Sequence, residues 1–130
     1  MITCRAYTEA DYDLAVQWWK DWNFPVIPPE GLPKNGAVSL VDGVPAFICF
    51  LYSTDSILCW FELFISNKEI RHENRTIAME VGLDFLKARA KELGFRFAFA
   101  SVRNRLLGSR MINIGFRRTD ENVDNYVLEV

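Results

Sequence analysis

Ile57-Leu58-Cys59-Trp60-Phe61-Glu62-Leu63-Phe64-Ile65 is apolar except for one carboxylate. The polar run Ser66-Asn67-Lys68-Glu69-Ile70-Arg71-His72-Glu73-Asn74-Arg75-Thr76 follows it and leads into a long amphipathic segment that stops at Gly94. The first run reads as a buried strand and the last as a helix. A strand that delivers a loop onto a helix N-terminus is a ready anion site, because unpaired backbone N–H groups and the helix dipole both point at the ligand. A lone Glu inside such a strand is costly to bury unless it is satisfied or used.

Within that segment Ile77, Val81, Phe85 and Ala88 share one helical row, flanked by Ala78, Leu86 and Leu93. The helix is expected to begin at Asn74 or Arg75, with Gly94 as the residue beyond its end. Gly82 weakens the helix interior by about 1 kcal/mol and would let it approach a sheet closely. Residues 95–102 alternate Phe95, Phe97, Phe99 and Ser101 with Arg96, Ala98 and Ala100, the pattern of a strand. A strand–helix–strand crossover makes residues 57–65 and 95–102 parallel neighbours.

Upstream, residues 2–7 read as a short strand, and Thr8-Glu9-Ala10-Asp11 opens a helix with a good cap and an acidic first turn. Residues 24–34 carry four prolines and a glycine and form a loop. Residues 36–41 and 44–54 are strands joined by Asp42-Gly43, a hairpin signal. Downstream, residues 105–114 form a short helix ending at Gly115, and residues 126–130 a terminal strand. The expected order is β-α-β-β-β-α-β-α-β, in a mixed, twisted α/β (α+β) sheet with helices on both faces. The chain of 130 residues reads as a single domain.

A net charge of −2 argues against broad binding to nucleic acid or anionic membrane. Three cysteines without zinc-type spacing point to reduced thiols in a cytosolic compartment. With one histidine and no ligand cluster, no metal site is expected. No signal peptide and no apolar stretch of transmembrane length is read.

The element order, the strand–loop–helix at 57–94, the run Ser101-Val102-Arg103-Asn104 and the late Ile114-Gly115-Phe116 together resemble the GNAT acetyltransferase superfamily. The stretches from Asp11-Tyr12 to Leu32-Pro33 and Leu51 to Ser56 resemble small bacteriophage-encoded GNAT-like proteins. The resemblance implies acetyl-coenzyme A as co-substrate and an amine acceptor, on a small molecule or a protein, in a cytoplasmic setting (that of the host if phage-encoded). The co-substrate would lie where the two parallel strands splay, its pantetheine against Leu63, Phe64 and Ile65. Its pyrophosphate would meet Arg71, Asn74, Arg75 and Thr76, with Asn104 nearby. Two departures stand out. The loop reads Arg71-His72-Glu73-Asn74-Arg75-Thr76, with Asn and Thr where the family has glycine or alanine. Met111 stands where the family often places a tyrosine acid, and it cannot donate a proton.

Glu62 is the catalytic candidate, because amine acetylation needs a base to deprotonate an ammonium. The competing placement is a solvated or Arg-paired Glu. His72, in the polar loop, fits solvent exposure or a phosphate contact better than catalysis. Trp18, Trp19 and Trp22 cannot all face one core. Two core residues and one half-exposed is the simplest arrangement, and the alternative makes Trp19 and Trp22 part of an acceptor or partner rim. Tyr52 is an acceptor-site candidate and a substitute acid. Arg103, Arg105, Arg110, Arg117 and Arg118 would reach the nucleotide end or simply be solvated. A second function class stays open: an inactive GNAT-fold protein that docks on a host protein or on a second copy of itself.

Overall fold

The computed structural model describes residues 1–102 and 105–130. Five strands form one open sheet in sequential order: β1 (Ile2–Ala6), β2 (Asn35–Val41), β3 (Val44–Tyr52), β4 (Leu58–Ser66) and β5 (Phe97–Phe99). The first three pairings are antiparallel, and β5 runs parallel to β4. Three α-helices complete the architecture: α1 (Tyr12–Asp21), α2 (His72–Glu92) and α3 (Arg105–Ile114).

The β2–β3 connection is the expected tight hairpin, with Asp42 at φ 49° and Gly43 at φ 82°. Two positive φ angles in succession match the right-handed twist of the flanking strands. The sheet then splits the core in two. Phe47, Cys49, Leu51, Cys59 and Phe61 pack under α2, whose Ala78, Met79, Leu83 and Leu86 face them. Val38, Ile48, Phe50 and Ile65 pack on the other face against Ala15, Trp18 and Trp19 of α1. This alternation along each strand is the period-2 pattern of a sheet buried on both sides.

Gly82 sits at the closest approach of α2 to the sheet. A Cβ there would lie 2.9 Å from Phe47 Cδ2 and 2.9 Å from Ser39 Oγ. The glycine that weakens the helix is what lets it lie flat on β2 and β3. At the other end of the chain's first turn, the Asp11 carboxylate receives both guanidinium nitrogens of Arg5, at 2.8 and 2.7 Å, and the backbone N–H of Thr8 at 2.9 Å. That ion pair ties β1 to the start of α1.

Most boundaries shift by a residue or two, and three expectations fail by more. Helix α2 begins at His72, not at Asn74 or Arg75. Its N-cap is Arg71, which makes no side-chain capping bond, so no capping residue marks the start. Strand β5 spans three residues rather than 95–102, because its register with β4 lasts only from Leu58↔Phe97 to Trp60↔Phe99. The terminal strand expected at 126–130 does not form: Tyr126, Val127, Leu128 and Val130 are almost fully exposed. Those residues have strand-forming side chains but no strand alongside them to bond, and propensity alone does not make a strand.

Candidate active site

Beyond Trp60 and Phe99, β4 runs on to Ser66 while β5 has ended, so the pairing of the two parallel strands stops there. Glu62 stands just past this point on β4. It pairs across β3 with Phe50, and Trp60 pairs with Tyr52, so Glu62, Trp60 and Tyr52 share the α1 face of the sheet.

The strand is irregular at the next residue. The β3–β4 register slips between Phe50↔Glu62 and Ile48↔Ile65, leaving Leu63 and Phe64 opposite Cys49 alone. Leu63 adopts φ 61°. A leucine in the left-handed region costs roughly 1–2 kcal/mol and persists only where surrounding packing holds it. The extra residue is a β-bulge, and it puts Glu62 and Leu63 on the same face while Phe64 turns under α2. Bulges free ladder groups and re-aim side chains, and here both effects fall where β4 has lost its β5 neighbour. Leu63, Phe64 and Ile65, expected to offer backbone groups to a pantetheine, are the residues of and beside this bulge.

Burial of the Glu62 carboxyl raises its pKa, and a hydrogen bond from the backbone of Ser101 partly offsets the rise. The side chain is half-buried, and among the described residues no ion pair joins it to an arginine. A carboxylate poised above its usual range is a better base for an ammonium than a free one.

Tyr52 donates its hydroxyl to the carbonyl of Gly31 at 2.8 Å. Burial and the nearby Glu62 charge raise its pKa. That bond anchors the proline-rich loop beside the site and commits the phenol proton, which counts against Tyr52 as the acid. Met111 is a core residue of α3, as its side chain demands.

The helix N-terminus departs most from expectation. Arg75 folds back onto the loop, its Nη1 donating to the carbonyls of Ile70 at 2.9 Å and Lys68 at 3.3 Å. Lys68 Nζ reaches the carbonyl of Asp21. Both cations also lie over the Trp22 ring, 5.2 and 5.7 Å from its centroid. These contacts tie the loop to α1. Thr76 Oγ1 bonds the carbonyl of His72, one helical turn back. Glu73 accepts its own backbone N–H, and that bond with the nearby Arg71 lowers its pKa. Arg71, exposed and 3.7 Å from Glu73, and the half-buried Asn74 remain beside the helix start. Arg110 of α3 lies 2.6 Å from His72 Nε2, a contact that no local sequence signal announces. Asn104 and Arg103 lie outside the described residues.

Trp19 does not line a rim. It is 2% exposed and packs with Trp18 in the core under α1. Trp22 is the half-buried member, its Nε1 donating to the Ser66 carbonyl at 2.8 Å. Cys49 and Cys59 are buried and burial raises both thiols, so neither is a nucleophile. A cavity of about 340 Å3 between β2 and α2, lined by Asn35, Phe85 and Arg89, lies on the opposite face of the sheet from Glu62. Among the described residues, no group of His, Cys, Asp and Glu side chains is placed to hold a metal ion, and no helix is long and apolar enough to cross a membrane.

No protein-family model and no curated protein matches the chain. Solved structures do. A probable acetyltransferase superposes with a TM-score of 0.71 at 20% identity over 98% of this chain and 97% of its own. The aminoglycoside acetyltransferase AAC(6')-Iy, bound to a bisubstrate analogue of coenzyme A, does so with a TM-score of 0.72 at 15% identity over 100% and 99%. A probable acetyltransferase from Staphylococcus epidermidis reaches a TM-score of 0.74 at 13% identity over 92% and 86%. At such identities it is the architecture that is shared: this chain has the mixed α/β fold of the GNAT acetyltransferases.

Proposed function

We propose that the protein transfers an acetyl group from acetyl-coenzyme A to a primary amine, with Glu62 as the base. One observation carries this reading. A half-buried carboxylate with a raised pKa stands at the point where the pairing of two parallel strands ends, next to a strained bulge. Structures with the same fold bind coenzyme A or a coenzyme A adduct.

The chemistry is direct. Glu62 takes a proton from the bound ammonium, and the freed amine attacks the thioester carbonyl. The C–N bond forms and the C–S bond breaks. The second amine proton goes to the departing thiolate, and the proton held by Glu62 returns to solvent. No thiol on this chain is placed for an acyl-enzyme step. Oxygen charge in the tetrahedral intermediate would be met by backbone N–H groups at the bulge.

An inactive docking protein is less well supported. Its anchor was to be an exposed tryptophan cluster, and Trp18 and Trp19 are buried. The likeness to phage-encoded proteins, and with it a host cytoplasm, rests on the sequence passages alone.

Calorimetry with acetyl-coenzyme A tests the reading. Binding in the micromolar range is expected. No heat at millimolar ligand, a regime worth only about 4 kcal/mol, rejects it.

A further inference from the structure

Trp60 of β4 and Phe99 of β5 stack with ring centroids 4.9 Å apart and planes 25° from parallel. Each keeps 36% of its surface exposed. Phe97, two residues earlier on β5, is more exposed still, and the Arg96 guanidinium lies 5.9 Å from its ring centroid. On the other side of Trp60 stands Tyr52, its register partner on β3. Glu62 is the next residue on this face of β4, about 7 Å along the strand. The uncovered part of the α1 face is therefore an aromatic floor with a carboxylate at one end and a cation at the other.

We infer that this floor is the acceptor site, and that it selects a singly charged amine carried on a flat apolar ring. The inference rests on the acetyltransferase reading and adds the substrate class to it. The charge pattern sets the orientation. An ammonium is drawn to Glu62 and to the faces of aromatic rings, and repelled by Arg96. A ring two carbons from the nitrogen then falls on Trp60 and Phe99, since the linker together with an ammonium–carboxylate hydrogen bond of about 2.8 Å spans about the separation of i and i+2 on a strand. Glu62 is the only carboxylate on β3, β4 and β5. A polycationic aminoglycoside, the kind of ligand that some proteins of this fold carry, would leave its remaining charges on an apolar surface. Desolvating unpaired charge is costly, whereas a monoamine buries one charge against one carboxylate.

The plain alternative is that the Trp60–Phe99 pair only fastens β5 to β4, as cross-strand aromatic pairs do. Steady-state transfer assays separate the two roles. 2-Phenylethylamine, ethanolamine and kanamycin serve as acceptors at saturating acetyl-coenzyme A. The expected order of kcat/KM is 2-phenylethylamine well above both others. Phe99→Leu and Trp60→Leu should each raise KM for 2-phenylethylamine by about tenfold, the scale of one aromatic contact. KM for acetyl-coenzyme A should stay unchanged. Should Trp60→Leu fail to fold, Phe99→Leu at the edge of the sheet carries the test. Preference for kanamycin or ethanolamine, or an unchanged acceptor KM in the folded variants, overturns the acceptor assignment and leaves the acetyltransferase reading intact. Absence of acetyl-coenzyme A binding overturns both.

Discussion

The backbone N–H of Ser101, just past the end of β5, donates a hydrogen bond to the carboxylate of Glu62 on β4. This bond links the two strands just past the end of their pairing. It favours the ionised carboxylate, while burial favours the neutral acid, and burial is the larger effect. Turnover should therefore rise with pH along a limb that lies above the ordinary carboxylate range. Glu62→Gln should abolish that limb and cut turnover about 100-fold or more, with acetyl-coenzyme A affinity preserved. A pH–rate profile of both proteins reads this directly; an intact limb in the variant removes Glu62 as the base.

The same shift has a stability consequence of known sign. The folded pKa of Glu62 lies above its unfolded value, so the folded state is favoured below the unfolded pKa. That advantage is lost as pH rises through the folded pKa. Glu62→Gln should accordingly gain stability relative to the wild type at neutral pH, measured as a higher urea midpoint, and show no gain in acid.

Asp11 behaves in the opposite way. Its bonds from Arg5 lower its pKa, with the Thr8 N–H adding to the effect. Its contribution is present above the unfolded carboxylate pKa and lost as pH falls through the lowered folded value. Asp11→Ala should cost about 1.5–3 kcal/mol at pH 7, because the buried side chain gives up charge-assisted bonds to β1. The difference from wild type should shrink as pH falls through that lowered value. Urea titrations across that range provide the check.

Gly82→Ala sets a propensity gain of about 1 kcal/mol against a steric conflict. The added methyl would lie 2.9 Å from both Phe47 and Ser39, and Phe47 is itself locked in the core. The conflict should win, with a net loss of roughly 1–3 kcal/mol. A variant as stable as wild type would mean that Phe47 has room to turn aside.

At the start of α2 the protein places its own anion. Glu73 occupies a backbone N–H there and pairs with Arg71. Glu73→Gln should tighten acetyl-coenzyme A binding severalfold by removing like charge from the pyrophosphate position. Arg75→Glu should mainly lower the melting temperature, because Arg75 holds the loop carbonyls of Lys68 and Ile70. Thr76→Gly should loosen the helix by about 0.5–1 kcal/mol without improving affinity. Calorimetry and thermal melts on the three variants sort loop stability from anion binding.

The hairpin at Asp42-Gly43, the crossover through α2 and the close approach at Gly82 were legible in the sequence because each follows from a local rule about turns, periodicity or glycine. Glu62 was legible for the same reason, as a charge in an apolar run. The bulge at Leu63 was not. Residues 57–65 are apolar on both faces, so a slip of one position leaves no break in the pattern. The work of Lys68 and Arg75 was hidden as well, since their partner Trp22 lies some fifty positions earlier. Loop cations look alike in sequence whether they await a phosphate or already hold an indole. The tail at 126–130 shows the reverse case: strand-forming residues with nothing to pair against.

Gly82 also has a mechanical meaning. It stands at the middle of α2, ten residues from either end, and so about 15 Å from His72 along the axis. The contact with Phe47 and Ser39 is the fulcrum of a rod about 30 Å long. Any side chain at 82 lifts the rod at its pivot, and a tilt of a few degrees swings its first turn by about 1 Å. The loop that Trp22 clamps and the end of the β4–β5 pairing beside Glu62 take their spacing from that pivot, so a substitution remote from every reacting atom would be read out there as misalignment.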